Sequence, residues 1–271
     1  MRAVIAVFAF AALIPASAGA CELGLEGTAK QGGLMVGTAP TGAVVSVDGK
    51  RVRLSPSGRF LVGFGRNAAK SAVVTARLPG GKAISCTIGV ESQKYKIQRI
   101  DGLPRRQVTP DPKALARIKA DNLAIRAVRR MDTASEDFLT GFAWPLKGRI
   151  SGVFGSQRIL NGKPRSPHNG VDVAAPTGTP IVAPAPGRIV LVHPDMFYTG
   201  KSVMIDHGHG LSSIYVHMSK ISVKEGERVK RGQEIGRVGK TGRATGPHLH
   251  WGVSLFSTHL DPMLLVGKMP K

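Results

Sequence analysis

The chain has 271 residues, room for about two domains of roughly 150 residues each, and its 42% hydrophobic content with mean hydropathy near zero fits a soluble globular fold. Its 34 glycines and 18 prolines favour turn-rich β structure, and no stretch beyond the N-terminus reads as a transmembrane segment. A formal charge of +21, spread along the chain, favours anionic partners such as cell-wall polymers or an anionic envelope surface, whereas the helix-turn-helix, finger and aromatic-stacking signatures of a nucleic-acid binder are missing.

Residues 1–20 read as a signal peptide. Arg2 supplies the charge, Ala3 to Ile14 the apolar run, and Ala18-Gly19-Ala20 a small-residue cleavage site, so the expected location is periplasmic or secreted. Cys21 would open the mature chain, which allows lipid attachment, although Ala18 is smaller than the aliphatic residue such sites prefer. The other reading is a disulfide with Cys86 in an oxidising compartment, favoured because both cysteines fall in one small β region.

Residues 21–98 are expected to form an immunoglobulin-like β-sandwich module. Asp48-Gly49-Lys50 signals a hairpin between two valine- and arginine-bearing runs, and Pro56-Ser57-Gly58 and Pro79-Gly80-Gly81 separate further short strands. Residues 99–141 read as a linker holding one helix at about 112–130, started by the N-cap Asp111 and by Pro112 at its first position. Leu115, Ile118, Asn122 and Ile125 form its expected stripe, and Asp132 to Gly141 reads as a hinge. Residues 142–262 carry a series of short strands with no convincing helix, and 263–271 form a basic tail. The fold class expected is mainly β: a small module, a linker helix, and a C-terminal all-β domain.

The chemistry concentrates in that C-terminal domain. In Pro247-His248-Leu249-His250-Trp251 the strand alternation puts His248 and His250 on one face. Upstream, His168 and Asp172 are four residues apart in a segment that Pro164, Pro167, Gly170 and Pro176 keep extended, so they too can share a face. Two imidazoles and one carboxylate, His168, Asp172 and His250, make the three-ligand set of a catalytic zinc site with one position left for water. The helical His-Glu-x-x-His motif is absent, and Glu225, Glu227 and Glu234 sit in turn segments that look solvated. Histidine is left as the proton acceptor: His248, and His217 at the end of Leu211–His217, expected on the face it shares with Tyr215. His207-Gly208-His209 reads as a solvated turn, and His193 and His259 as ordinary surface residues.

Several motifs in order make residues 144–262 resemble the lysostaphin-type zinc endopeptidases. They are His168-x-x-x-Asp172, Pro176-x-Gly178-Thr179-Pro180, Gly187-x-Ile189-Val190, Tyr215-x-His217, the run Lys224 to Gly236, and Thr241 to His250. The resemblance implies one zinc per chain on His168, Asp172 and His250. It also implies that His217 and His248 activate the water or stabilise the tetrahedral intermediate, and that peptidoglycan peptide cross-links are the substrate. Trp251-Gly252-Val253 departs from the more common Phe-Glu-Val of that family. A secreted or periplasmic zinc endopeptidase is the leading reading; a non-catalytic wall-binding or amidase-activating protein on the same fold is the alternative. An export signal without an evident wall-anchoring tail favours the direct D,D cross-link.

Overall fold

The computed structural model describes residues 21–103 and 108–270; the expected signal peptide lies outside them. The N-terminal β region contains β1 (Glu26–Gly27), β2 (Leu34–Thr38), β3 (Val44–Val47), β4 (Lys50–Arg51), β5 (Arg59–Gly63), β6 (Ser71–Arg77) and β7 (Ala83–Gly89). One sheet has the order β1-β2-β5 and the other β4-β3-β6-β7. They share a core that includes Met35, Val45, Phe60, Val62, Val74 and Cys86. The β3–β4 turn has Asp48 and Gly49 both at positive φ (49° and 76°), as an Asp-Gly hairpin requires. Cys21 and Cys86 form a disulfide that ties the start of the described chain to β7.

The next segment departs from the expected plain connector. Residues Ile97–Ile100 form β8, which pairs in parallel with a strand sixty residues downstream in sequence, Gln157–Leu160. Helix α1 (Pro112–Val128) starts where Asp111 Oδ1 accepts from Ala114 N–H at 2.8 Å. Its docked side is Ala124, Ile125 and Val128, set against Leu191, Met196, Met204, Ile214 and Val216. Of the stripe read from the sequence only Ile125 joins the docked side, and Leu115 stays 52% exposed. The expected hinge at 132–141 is clamped instead. Phe138 is buried in the C-terminal core, Asp137 pairs with Arg228 at 2.8 Å, and Thr133 Oγ1 donates to Asp206 at 2.6 Å.

The C-terminal region contains β9 (Arg149–Gly152), β10 (Gln157–Leu160), β11 (Lys163–Pro164), β12 (Val171–Ala174), β13 (Pro180–Val182), β14 (Gly187–Met196) and β15 (Gly200–Gly208). It continues with β16 (Leu211–Ile221), β17 (Arg228–Val229), β18 (Glu234–Val238), β19 (His248–Leu255) and β20 (Thr258–Leu260). The main path runs β17-β14-β15-β16-β19-β12-β9, with β13, β18 and β20 attached to it. Beneath it lies a core of Val171, Ile181, Ile205, Tyr215, Leu249 and Trp251, all fully buried. Trp144 meets Trp251 edge-on at 5.9 Å. The expected basic tail begins as a short helix, α2 (Pro262–Val266), whose Met263, Leu265 and Val266 pack on that core. No helix of the described residues is long and apolar enough to cross a membrane.

Candidate metal centre

Strands β12 and β19 are antiparallel neighbours, and their register puts Asp172 directly opposite His250. Residues opposite one another in a ladder project to the same face, so the carboxylate and one imidazole meet without help from loops. His168 enters from the segment before β12, where its N–H donates to Ser156 O at 2.9 Å and its Nδ1–H donates to Val153 O at 3.1 Å. His168 Nε2 then lies 2.9 Å from Asp172 Oδ1 and 2.8 Å from His250 Nδ1, and His250 Nδ1 lies 2.8 Å from Asp172 Oδ1. The three sequence-selected residues are thus one cluster, with ligand atoms within 4.8 Å of one another.

The chemistry of this cluster calls for a cation. A backbone carbonyl only accepts, so His168 carries a proton on Nδ1, which turns its Nε2 toward Asp172 and His250. Burial works to raise the pKa of Asp172, but its contacts with His168 and His250 outweigh this and hold it well below the usual carboxylate range. Burial first, opposed by Asp172, lowers the pKa of His250 to about 4. Two imidazoles and a carboxylate converging on one point fit a divalent ion of the zinc type.

His217 and His248 complete the group, with ring centroids 4.7 Å apart, and His217 is 6.5 Å from His250 by the same measure. His217 does not share a face with Tyr215, as plain alternation predicts. Tyr215 pairs with Trp251 and is fully buried in the core, whereas His217 has φ +63° and takes part in the His248–His250 ring cluster. The left-handed residue breaks the period of two at the end of the run, and nothing in local composition announces it. His217 Nδ1–H donates to Thr241 O at 2.8 Å and His248 Nδ1–H to Gly246 O at 2.8 Å, which leaves both Nε2 atoms as acceptors. Burial, then the neighbouring His248 and His250, lower the pKa of His217 to about 3.

Three of the remaining histidines depart from the expectation of solvated surface positions. His207 and His209 are buried, not solvated: His207 bridges Pro186 O and Ser213 Oγ at 2.6 and 2.8 Å, and His209 packs 4.9 Å from the Phe138 ring. His259 is half-buried, and burial followed by the charge of Arg129 lowers its pKa to about 3. The sequence reading also missed Arg158, whose terminal nitrogen sits 3.3 Å from Asp172 Oδ2. Arg158, Arg243 and Gln98 line a cavity of about 140 Å³ with Asp172, His217 and His248. Gln98 and Arg158 lie outside every motif read from the sequence, and Arg243 falls at an unspecified position of the Thr241 to His250 run.

The profile of peptidase family M23 matches residues 166–262. ShyA of Vibrio cholerae, named a peptidoglycan DD-endopeptidase, is 47% identical over 108 residues, which is 39% of this chain and 24% of the relative. ShyB of the same organism, also named a peptidoglycan DD-endopeptidase, is 37% identical over 149 residues, 54% of this chain and 32% of the relative. The match therefore spans about a quarter to a third of the length of these curated relatives. Among solved structures, a putative peptidase M23 from Pseudomonas aeruginosa is 31% identical with a TM-score of 0.69, covering 89% of this chain and 96% of that one.

Proposed function

The chain belongs to peptidase family M23, and from that premise we propose that it is an exported, zinc-dependent endopeptidase that hydrolyses peptide cross-links of peptidoglycan. The observation that carries the reading is the convergence of His168 Nε2, Asp172 Oδ1 and His250 Nδ1, three lone-pair donors in mutual contact. These residues would hold one zinc per chain. Bound there, zinc supplies Lewis acidity, polarising the scissile carbonyl and making water acidic enough to attack near neutral pH.

The other steps fall to the chain itself. With their Nδ1 protons engaged by Thr241 O and Gly246 O, His217 and His248 offer two Nε2 lone pairs to the attacking water. The ring that takes the proton becomes a donor and can then hydrogen-bond the oxyanion of the tetrahedral state. Arg158 holds Asp172 Oδ2, fixing the carboxylate so that Oδ1 faces the imidazoles. The positive surface charge suits an anionic wall polymer and an envelope location.

The test is digestion of purified murein by zinc-loaded protein with product analysis by mass spectrometry. Cut peptide stems on intact glycan strands are expected, and loss of cutting with a chelator. Release of sugar fragments alone, or of nothing, would refute the endopeptidase reading.

A further inference from the structure

The cavity beside the metal centre has a wall that the proposed hydrolysis does not use. Strand β8 belongs by sequence to the segment before α1, yet its register against β10 sets Gln98 opposite Arg158 and Ile100 opposite Leu160. All four residues line the cavity that also holds His217 and His248. Two polar atoms there are buried without a partner: Gln98 Oε1, an acceptor, and Arg158 Nε, a donor. Orphaned polar atoms are costly in a protein interior, and a complementary pair on two residues that line one cavity points to a ligand that offers the opposite groups.

Charge narrows that ligand. Asp172 is the only carboxylate among the described residues lining the cavity, against Arg158 and Arg243. Arg243 is stacked over Tyr198, its guanidinium carbon 4.1 Å from the ring centroid. Stacking engages the face of a guanidinium, while its N–H bonds lie in the plane and point outward from the edge. Burial lowers the pKa of Arg243, partly opposed by Tyr198 and with smaller contributions from Arg158 and Arg165. Ile100 and Leu160 add an apolar patch beside these groups. An amide N–H next to a carboxylate, carried on one carbon with an aliphatic substituent, supplies a donor for Gln98 and an anion for the arginines.

We propose that Gln98, Arg158 and Arg243 form a specificity subsite for a free carboxylate on the residue adjacent to the cleaved amide. Gln98 Oε1 accepts from that residue's N–H, and the two guanidinium groups hold its carboxylate. The subsite rests on the peptidase reading above and adds to it a substrate class: peptides whose carboxylate next to the scissile bond is not amidated.

The test compares two cross-linked muropeptide dimers that differ in one group, carboxylate or carboxamide, on the residue next to the bond. For the zinc-loaded full chain, kcat/KM is expected to be about tenfold higher on the carboxylate form, the scale of one charge-assisted hydrogen bond. Arg243→Met should bring the ratio close to one. Gln98→Glu keeps the size of the side chain, and its negative charge should lower the ratio as well; a circular-dichroism melt confirms that the variant is folded. Arg158 is left alone because it touches Asp172.

A preference produced by direct binding of the carboxylate to the metal would survive Arg243→Met, and that survival overturns the subsite. So does equal kcat/KM on both dimers in the unaltered chain. Calorimetric titration with the free-acid and carboxamide products gives a readout independent of turnover: about tenfold tighter binding of the acid is expected, narrowed by Arg243→Met. Equal Kd values would overturn the subsite even in a chain that cuts neither dimer. Failure to cut either dimer would instead refute the peptidase reading.

Discussion

Replacing Gly152 by alanine should disable the metal centre with all three proposed ligands still in the sequence. Gly152 pairs with Asp172 across β9 and β12, and a Cβ built on it would lie 2.3 Å from Asp172 Oδ2, 2.9 Å from Cγ and 3.1 Å from Cβ. Real Cβ contacts essentially never fall below 3.0 Å, so Oδ2 must retreat by at least 3.0 − 2.3 = 0.7 Å. Rotating the carboxylate alone does not suffice, because its own Cγ and Cβ are also crowded. A shift of that size is several times the ~0.2 Å tolerance of a metal–ligand distance. It also disturbs the 3.3 Å contact of Oδ2 with Arg158. Zinc affinity, measured by competition with a chromophoric chelator, should fall by roughly ten- to a hundredfold, the range seen when groups supporting a ligand are lost. Gly89→Ala is the control, since a Cβ there meets nothing within 4 Å. Zinc binding by Gly152→Ala within twofold of the parent chain would refute the reasoning.

Other perturbations separate the remaining roles. His250→Ala should lose zinc, by metal analysis of the purified protein, whereas His217→Ala should keep it and lose turnover on murein; equal zinc in the parent and His250→Ala would contradict the ligand assignment. Breaking the Cys21–Cys86 disulfide, which closes a loop of 65 residues, should cost about 4 kcal/mol of stability in chemical denaturation, and an unchanged midpoint would show that the N-terminal module does not depend on it. His259 has a folded pKa of about 3 against an ordinary 6.5, so between those values the unfolded chain binds a proton that the folded one does not. Its contribution is therefore present above pH 6.5 and lost as pH falls toward 3, and the drop in Tm from pH 7 to 4.5 should be smaller in His259→Gln than in the parent. Equal drops would remove His259 as a cause.

The legible part of the site was the part governed by local periodicity. His248 and His250 share a face because β19 alternates regularly, and the prolines around Asp172 keep its segment extended, so the cluster could be assembled on paper. The face of His217 could not, because a single left-handed residue resets the alternation and any residue type other than glycine hides such a position. The misread hinge has a similar origin. Small and acidic residues from Asp132 to Gly141 suggest solvent, but Phe138 alone anchors the segment in the core, and Gly208 lets it pass so closely that a Cβ there would strike Ser135 O. His209 packs on Phe138 of that segment, and His207 on Phe142 just beyond it. Parallel pairing of β8 with β10 joins residues too far apart in sequence for any local pattern to report.

That pairing bears on how the protein is taken apart in the laboratory. A recombinant fragment starting at Trp144 would contain the whole stretch matched by the family profile, 166–262, and keep every proposed ligand, yet leave β10 with a bare flank and the cavity without Gln98 and Ile100. Such a fragment would be open where the longer chain is walled, and any substrate preference set by that wall would go with it.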